Sequence, residues 1–402
     1  MLARKFAKEL VALSYAEQER LIARALKEEV DLYDLLEAEG LSLDDLTYSD
    51  SRTRTWSGGA PVDLRSFEKV GKGIPVVSFF TGCGGMDLGL EALGFENVAA
   101  FEHNEIFCRT LRKNRPQWNV FGPPFHDGDV SKVEDVIATL EPLIQKPFEG
   151  LFVGGPPCQP FSIAANQRFA KWGDNFKRVG FDHAKNGNLL FDFVALIKEF
   201  RPAAFLIENV PGLRDIDGGE QLSVAIKQLE DAGYEVAEPS VFEAADYGVP
   251  QYRQRMFVVG SRTGGKFVIP EAQEHVGCGS VLDVLPGHNV PNHETRKHKA
   301  GSLQRYMVLG YGQRDQLGRV DRLDPTRPSK TVIAGGTNGG GRSHLHHEIP
   351  RTLSVRECAR LQTFPDDYVF VGPTARQFTQ VGNAVPPVLA ATVGTALVKA
   401  FF

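Results

Sequence analysis

The run Ile74-Pro75-Val76-Val77-Ser78-Phe79-Phe80-Thr81-Gly82-Cys83-Gly84-Gly85 decides the fold. An apolar stretch of strand length ends on a glycine-rich turn, and residues 86–93 continue at helical spacing. A turn of this kind lets a nucleotide-like ligand touch backbone amides at a helix N-terminus. The spacing Gly82-x-Gly84-Gly85-x-x-x-Gly89 is not G-x-G-x-x-G, which disfavours a nicotinamide cofactor.

Working outward, the theme repeats. Residues 98–101 form a second apolar run ending at Glu102, and residues 151–153 and 203–207 form two more. Helical segments at 189–199 and 221–232 alternate with them, and residues 255–260 supply a later strand. The alternation predicts an α/β fold, a doubly wound Rossmann-like mixed sheet with its site at the carboxyl edge of the strands. Glu102 falls seventeen residues after Gly85, where an acid accepts ribose hydroxyls. Asp129, in Gly128-Asp129-Val130, is a second acid suited to an adenine amino group.

Two further strand ends carry reactive groups. Gly154-Gly155-Pro156-Pro157-Cys158-Gln159-Pro160-Phe161-Ser162 presents one thiol on a loop stiffened by proline. A structural cysteine needs no such loop, whereas a nucleophile does, because its sulfur must be held at a set distance from the atom attacked. Glu208, in Glu208-Asn209-Val210-Pro211, ends an apolar strand, where burial raises a carboxyl pKa towards neutrality and suits it to donate a proton. Arg253 and Arg255 alternate ahead of the strand at 256–260 and are expected on one face, placed for a base carbonyl or a phosphate.

The 402 residues carry 45 Lys+Arg against 50 Asp+Glu, a net charge of −5, so a polyanion partner requires a locally basic face. Between Glu294 and Arg342 ten basic residues stand against four acids, which predicts that face. The five cysteines are scattered without a CxxC pair, so neither a disulfide framework nor zinc is expected. Cys83, Cys108 and Cys358 read as core. His344, His346 and His347 have only loose metal spacing and are assigned to phosphate or base contact. No apolar run reads as a bilayer span and Glu9 interrupts any signal core, so the expected location is the cytoplasm.

Four segments follow: an N-terminal helical extension over residues 1–70, a catalytic domain over 71–270, a smaller irregular or β-rich domain over 271–370, and a return to the catalytic domain over 371–402. The extension opens on the capping box Ser14-Tyr15-Ala16-Glu17, a second short helix starts near Ser42, and its expected role is packing.

In this order the pieces resemble the DNA (cytosine-5)-methyltransferase family of the restriction-modification type. The resemblance covers about residues 74–395 and is carried by residues 79–85, Glu102, 128–130, 154–162, 187–192, 208–210, 251–255, 351–365 and 380–387. It implies S-adenosyl-L-methionine as cofactor, S-adenosyl-L-homocysteine as product, double-stranded DNA as substrate and a restriction endonuclease as functional partner; a monomer is the default expectation. Cys158 would attack carbon 6 of a flipped cytosine, Glu208 would engage ring nitrogen 3, Arg255 the exocyclic oxygen, and Arg253 would support it. Phe80, Thr81, Gly82, Cys83, Gly84, Gly85, Glu102, Asp129, Pro157, Leu189 and Asn383 would line the cofactor. Gln159, Ser162, Arg168 and Lys171, on the loop after the thiol, and Arg296, Lys297, Arg305, Arg314 and Arg342, in the small recognition domain, would meet DNA. The sequence departs from the family in two places. Ser78 stands where an Asp is usual, which predicts altered packing under the loop, and His103 follows Glu102 where an apolar or aromatic residue is common. An RNA cytosine methyltransferase and an inactive DNA-binding scaffold are the alternative readings.

Overall fold

A computed structural model describes residues 13–50, 61–157, 189–283, 290–334 and 343–402. The apolar run at 74–80 forms strand β1 (Pro75–Phe79), and the helix after the glycines is α3 (Gly85–Ala92). β1 pairs in parallel with β2 (Glu96–Phe101) on one side and with β4 (Leu151–Gly154) on the other. β3 (Val120–Phe121) extends the sheet beyond β2, and β5 (Ala204–Asn209) extends it beyond β4, all in parallel. β8 (Gln254–Ser261) then enters antiparallel to β5 and pairs with β6 (Glu235–Val236) and β7 (Ser240–Glu243). The order is therefore β3-β2-β1-β4-β5-β8-β6, with β7 beside β8. The chain moves outward from β1 in both directions, so a crevice opens between the ends of β1 and β4, where doubly wound sheets hold ligands.

Alternation along the strands sends side chains to two cores. Val77, Phe79, Phe101, Phe152 and Phe205 face one side, packed with Phe193 and Ile197 of α6 (Leu189–Phe200). Val76, Leu151, Val153 and Leu206 face the other, against Leu90 of α3 and Val388 and Leu397 of α12 (Pro387–Phe401). Each Phe fully removed from water contributes roughly 1.5–3 kcal/mol. Gly89 lets α3 and α12 touch, since a Cβ there would lie 2.5 Å from Pro387 O. The sequence is expected to hold no bilayer span, yet among the described residues one helical stretch, Thr374–Phe401, has the length and apolarity of one. It is broken before Pro386 into α11 (Thr374–Asn383) and α12, and α12 is core.

Residues after 271 are irregular rather than β-rich among the described residues. They comprise short helices α8 (Gly279–Leu282), α9 (Ala300–Tyr306) and α10 (Val355–Leu361), and a two-stranded parallel ribbon of β9 (Asp321–Arg322) and β10 (His344–Leu345). One apolar cluster joins Leu282, Val332, Leu361 and Phe364 to Cys83 of the glycine turn and Leu88 of α3. The N-terminal extension contributes α1 (Tyr15–Glu28), which begins at the expected Ser14 capping box, and α2 (Leu32–Ala38). At Ser42 a single 3₁₀ turn, Leu43–Asp45, forms.

Candidate active site

The turn between β1 and α3 is fixed from several directions. Phe80 adopts φ +55°, a conformation that a non-glycine side chain holds only where its surroundings enforce it. Thr81 supplies the enforcement: its N–H and its hydroxyl both donate to Phe101 O, at 3.1 and 3.2 Å. Gly82 (φ +61°) donates its N–H to Glu102 Oε2 at 2.7 Å, and Asn104 N–H donates to Oε1 at 2.7 Å. Glu102 is buried, which raises its pKa, and these two bonds oppose the rise. A Cβ on Gly82 would meet only Phe80 O, at 3.9 Å, so that side of the turn is open.

The remaining residues of the turn face the other way. A Cβ on Gly84 would press on Leu111 at 2.9 Å and one on Gly85 on Val385 O at 2.3 Å. Cys83 is buried, its thiol donating to Gln380 O at 3.3 Å, and burial pushes that thiol's pKa up. Tyr368 donates its hydroxyl to Cys83 O at 2.6 Å. These three predicted cofactor residues therefore have their side faces filled by protein.

Asp129 reaches the same crevice. A Cβ on Gly128 would lie 2.2 Å from Glu102 O, so the turn carrying Asp129 packs on the backbone of Glu102. Asp129 Oδ1 accepts from Ser131 N–H and hydroxyl, at 3.0 and 2.7 Å. Asp192, in the first turn of α6, is a half-buried acid that the sequence reading assigned no role. Burial and the nearby negative Asp129 push it up to about 6. Leu189 is the buried first residue of α6, and Asn383 ends α11 exposed.

The second half of the site lies where β5 meets β8. Glu208 stands opposite Phe257, so Arg255, two residues back, projects to the same face and reaches it diagonally. Arg255 Nε lies 2.7 Å from Glu208 Oε1. Burial raises the Glu208 pKa, and Arg255 and then Arg253 oppose it. The loop after β4 closes over this carboxylate: a Cβ on Gly155 would lie 2.6 Å from Glu208 Oε2. Asn209 ties the two loops together, donating from Nδ2 to Pro156 O at 3.2 Å and accepting from Val210 N–H at 2.8 Å. Pro157 is exposed at the end of the described loop. Cys158, Gln159, Ser162, Arg168 and Lys171 lie outside the described residues, as does Arg342.

Arg253 differs from the sequence expectation. Its buried guanidinium donates to Val332 O at 3.2 Å and Gly382 O at 2.6 Å, so it binds main chain, not an open face. The neighbouring Gln251 extends the clamp, accepting from Val332 N–H at 2.7 Å and donating to Gln362 Oε1 at 2.9 Å. These bonds join the start of β8 to residues 329–334 and to α10 and α11. No local pattern marks residues 329–334 as its partner, because every contact spans more than 70 positions.

In the small region Arg296, Lys297 and Arg314 are exposed. The Lys297 ammonium sits 4.9 Å over the Tyr33 ring, and Arg314 donates to Gly318 O at 2.6 Å. Arg305 turns back on its own helix, donating to Gly301 O at 2.7 Å. Arg322, counted as part of the basic face, is buried and unavailable to a polyanion. The assignment of His344, His346 and His347 to phosphate or base contact is overturned, because all three are buried. His347 bonds Asp283 at 2.8 Å, and burial pushes His346 down to about 3, leaving it neutral. Cys108 and Cys358 are core, as expected, and Cys278 joins them.

The family model "C-5 cytosine-specific DNA methylase" matches residues 74–399. The chain is 33% identical over 352 residues to the Type II methyltransferase M.PspPI of Psychrobacter sp. strain TA137, covering 81% of this chain and 79% of that one. It is 34% identical over 358 residues to the Type II methyltransferase M.Eco47II of Escherichia coli, covering 80% and 78%. Among solved structures, a prophage-encoded E. coli chain studied as a candidate DNA modification methyltransferase superposes with TM-score 0.63 at 25% identity, covering 81% of this chain and 99% of that one. The Dnmt2 methyltransferase of S. pombe, at 17% identity and TM-score 0.57 over 81% and 98%, shares the fold.

Proposed function

The chain belongs to the C-5 cytosine-specific DNA methylase family, and from that premise we propose that it methylates carbon 5 of a cytosine within a specific double-stranded DNA sequence, as the modification partner of a restriction endonuclease. The observation that carries the reading is the Glu208–Arg255 pair, held beneath the loop that leads to Cys158. A carboxylate whose pKa is raised by burial, with one arginine contact, is suited to share a proton with ring nitrogen 3 of cytosine. Arg255 would steady the exocyclic oxygen beside it. The thiolate of Cys158 would add to carbon 6 of the flipped base, making carbon 5 nucleophilic, and would leave once the carbon 5 proton is lost.

The crevice residues fit S-adenosyl-L-methionine, which supplies the methyl group when bound. The open side of Gly82, the fixed carboxylate of Glu102 and the Asp129 turn packed on it make a cradle for an adenosine. Phe80 and Leu189 would border it and Asn383 would close it. Asp192 would add negative charge on the side of a cationic sulfonium.

The test is a trapping reaction. The purified protein, tritiated S-adenosylmethionine and a mixed-sequence duplex containing 5-fluorocytosine should give a covalent protein–DNA band on a denaturing gel. Fluorine blocks the final elimination, and Cys158→Ala should abolish the band. A band on structured RNA alone would move the reading to RNA, and DNA binding without any band would leave an inactive scaffold.

A further inference from the structure

Outside the crevice, an apolar and polar contact joins the N-terminal extension to the small region. Ile22, Ala25, Leu32, Leu36 and Leu46 share one apolar cluster with Leu303, Met307, Val320 and Leu345. Neither side covers that cluster alone. Polar contacts then reach deeper. Arg322 is fully buried in β9 with its guanidinium 3.6 Å over the Tyr48 ring and 4.0 Å over Tyr311. Among the described residues its one carboxylate partner is Asp50. The Tyr48 hydroxyl donates to His346 O at 2.8 Å. Arg351, also fully buried, donates to Asp44 Oδ1 at 2.6 Å as well as to Glu357.

The extension itself is not built to meet DNA. Residues 13–50 hold three basic and eleven acidic side chains, and a phosphate backbone would repel that balance. Its influence on DNA must pass through what it holds. Arg322 points inward from β9, while three exposed basic groups flank its neighbour Asp321: Arg314 is bridged to Asp321 through the backbone, the Lys330 ammonium lies 3.0 Å from Asp321 Oδ1, and Arg319 sits in the turn just before β9. Asp321 is the residue next to Arg322 in β9, so moving the buried arginine moves the exposed groups held to Asp321. We propose that residues 13–50 are an integral half of the DNA-recognition region, and that Tyr48 and Asp50 are positioning residues which, through Arg322, set the basic ribbon against DNA. This rests on reading residues 271–370 as the recognition region.

The experiment uses the full chain. Methyl transfer from tritiated S-adenosylmethionine into unmethylated mixed-sequence duplex DNA is followed against DNA concentration, with cofactor affinity measured separately by equilibrium dialysis. Asp50→Asn should raise KM for DNA on the order of tenfold, with kcat at saturating DNA and cofactor affinity unchanged. Asp50→Glu should restore most of the loss. If Asp50→Asn does not accumulate as folded protein, Tyr48→Phe is the milder second variant: it deletes the hydroxyl's bonds to His346 O and Ile349 O, which tie the extension to the chain just after β10, and should raise KM for DNA in the same direction. Unchanged KM, or a rise in KM accompanied by loss of kcat and of cofactor affinity, would overturn the proposal. A wild-type chain that methylates no duplex DNA would instead remove the reading on which it stands.

Discussion

Two glutamate–arginine pairs in this molecule have opposite fates. Glu208 meets Arg255 through one contact at 2.7 Å, with 15% and 11% of the side chains exposed. Glu357 meets Arg351 through two parallel bonds of 2.9 Å each, with both side chains at 0%, and also accepts from Ser354 N–H at 2.7 Å. Burial alone would raise both pKa values. It does raise Glu208, whereas the bidentate guanidinium pulls Glu357 down to about 2. A buried carboxylate short of donors is poised to take a proton. One with a full set of donors is scaffold.

Neutralising each glutamate separates the two roles. Glu208→Gln keeps an oxygen for Arg255 but cannot lend a proton in the same way. Methyl transfer should fall about 10²–10⁴-fold while the melting temperature hardly moves. Initial rates of tritium incorporation and thermal melts on the same preparation decide it, and a near-normal rate would end the proposed role. Glu357→Gln should do the reverse, because among the described residues it leaves the buried Arg351 with Asp44 alone as carboxylate partner. The expected loss is about 3–5 kcal/mol in urea unfolding at neutral pH. The folded pKa lies below the unfolded 4.5, so the stabilisation is present above 4.5 and fades as pH falls towards about 2. The gap between wild type and variant should therefore close with acid; a gap constant with pH would detach Glu357 from its charge.

The catalytic half was the more legible in sequence, for a physical reason. Short apolar runs ending in Gly82, Glu102, Gly154 and Glu208 are local patterns, and a parallel sheet brings such ends to one edge whatever the loops do. The main-chain partners of Arg253, Val332 and Gly382, are not legible, because they are carbonyls far along the chain. Arg322 and the three histidines were misread because counting charge says nothing about burial. Composition shows ten basic residues between 294 and 342, and only packing shows that Arg322 is spent on Asp50 and two tyrosines. The shared core of the extension was equally hidden, since an amphipathic helix records that it covers something but not what.

A third carboxylate extends the comparison to its limit. Asp87, in the first turn of α3, is 3% exposed, and neither of its oxygens has a well-formed hydrogen bond, though the Ser78 hydroxyl lies beside it. Ser78 is the position in β1 at which the sequence departs from the family resemblance, and its hydroxyl is the polar group nearest this acid. Burial, and more weakly the negative Glu91, push Asp87 up to about 7. The folded state therefore keeps a proton that the unfolded chain releases between pH ~4 and ~7. The unfolded state binds fewer protons in that window, so stability declines as pH rises through it. Asp87→Asn removes the titration. Its melting temperature should match wild type near pH 5 and exceed it by a few degrees at pH 8, a difference on the order of 2 kcal/mol once relaxation and water entry soften the cost of the buried charge. Parallel pH curves for the two proteins would mean that Asp87 is as well satisfied as Glu357 and that the donor count misjudges it.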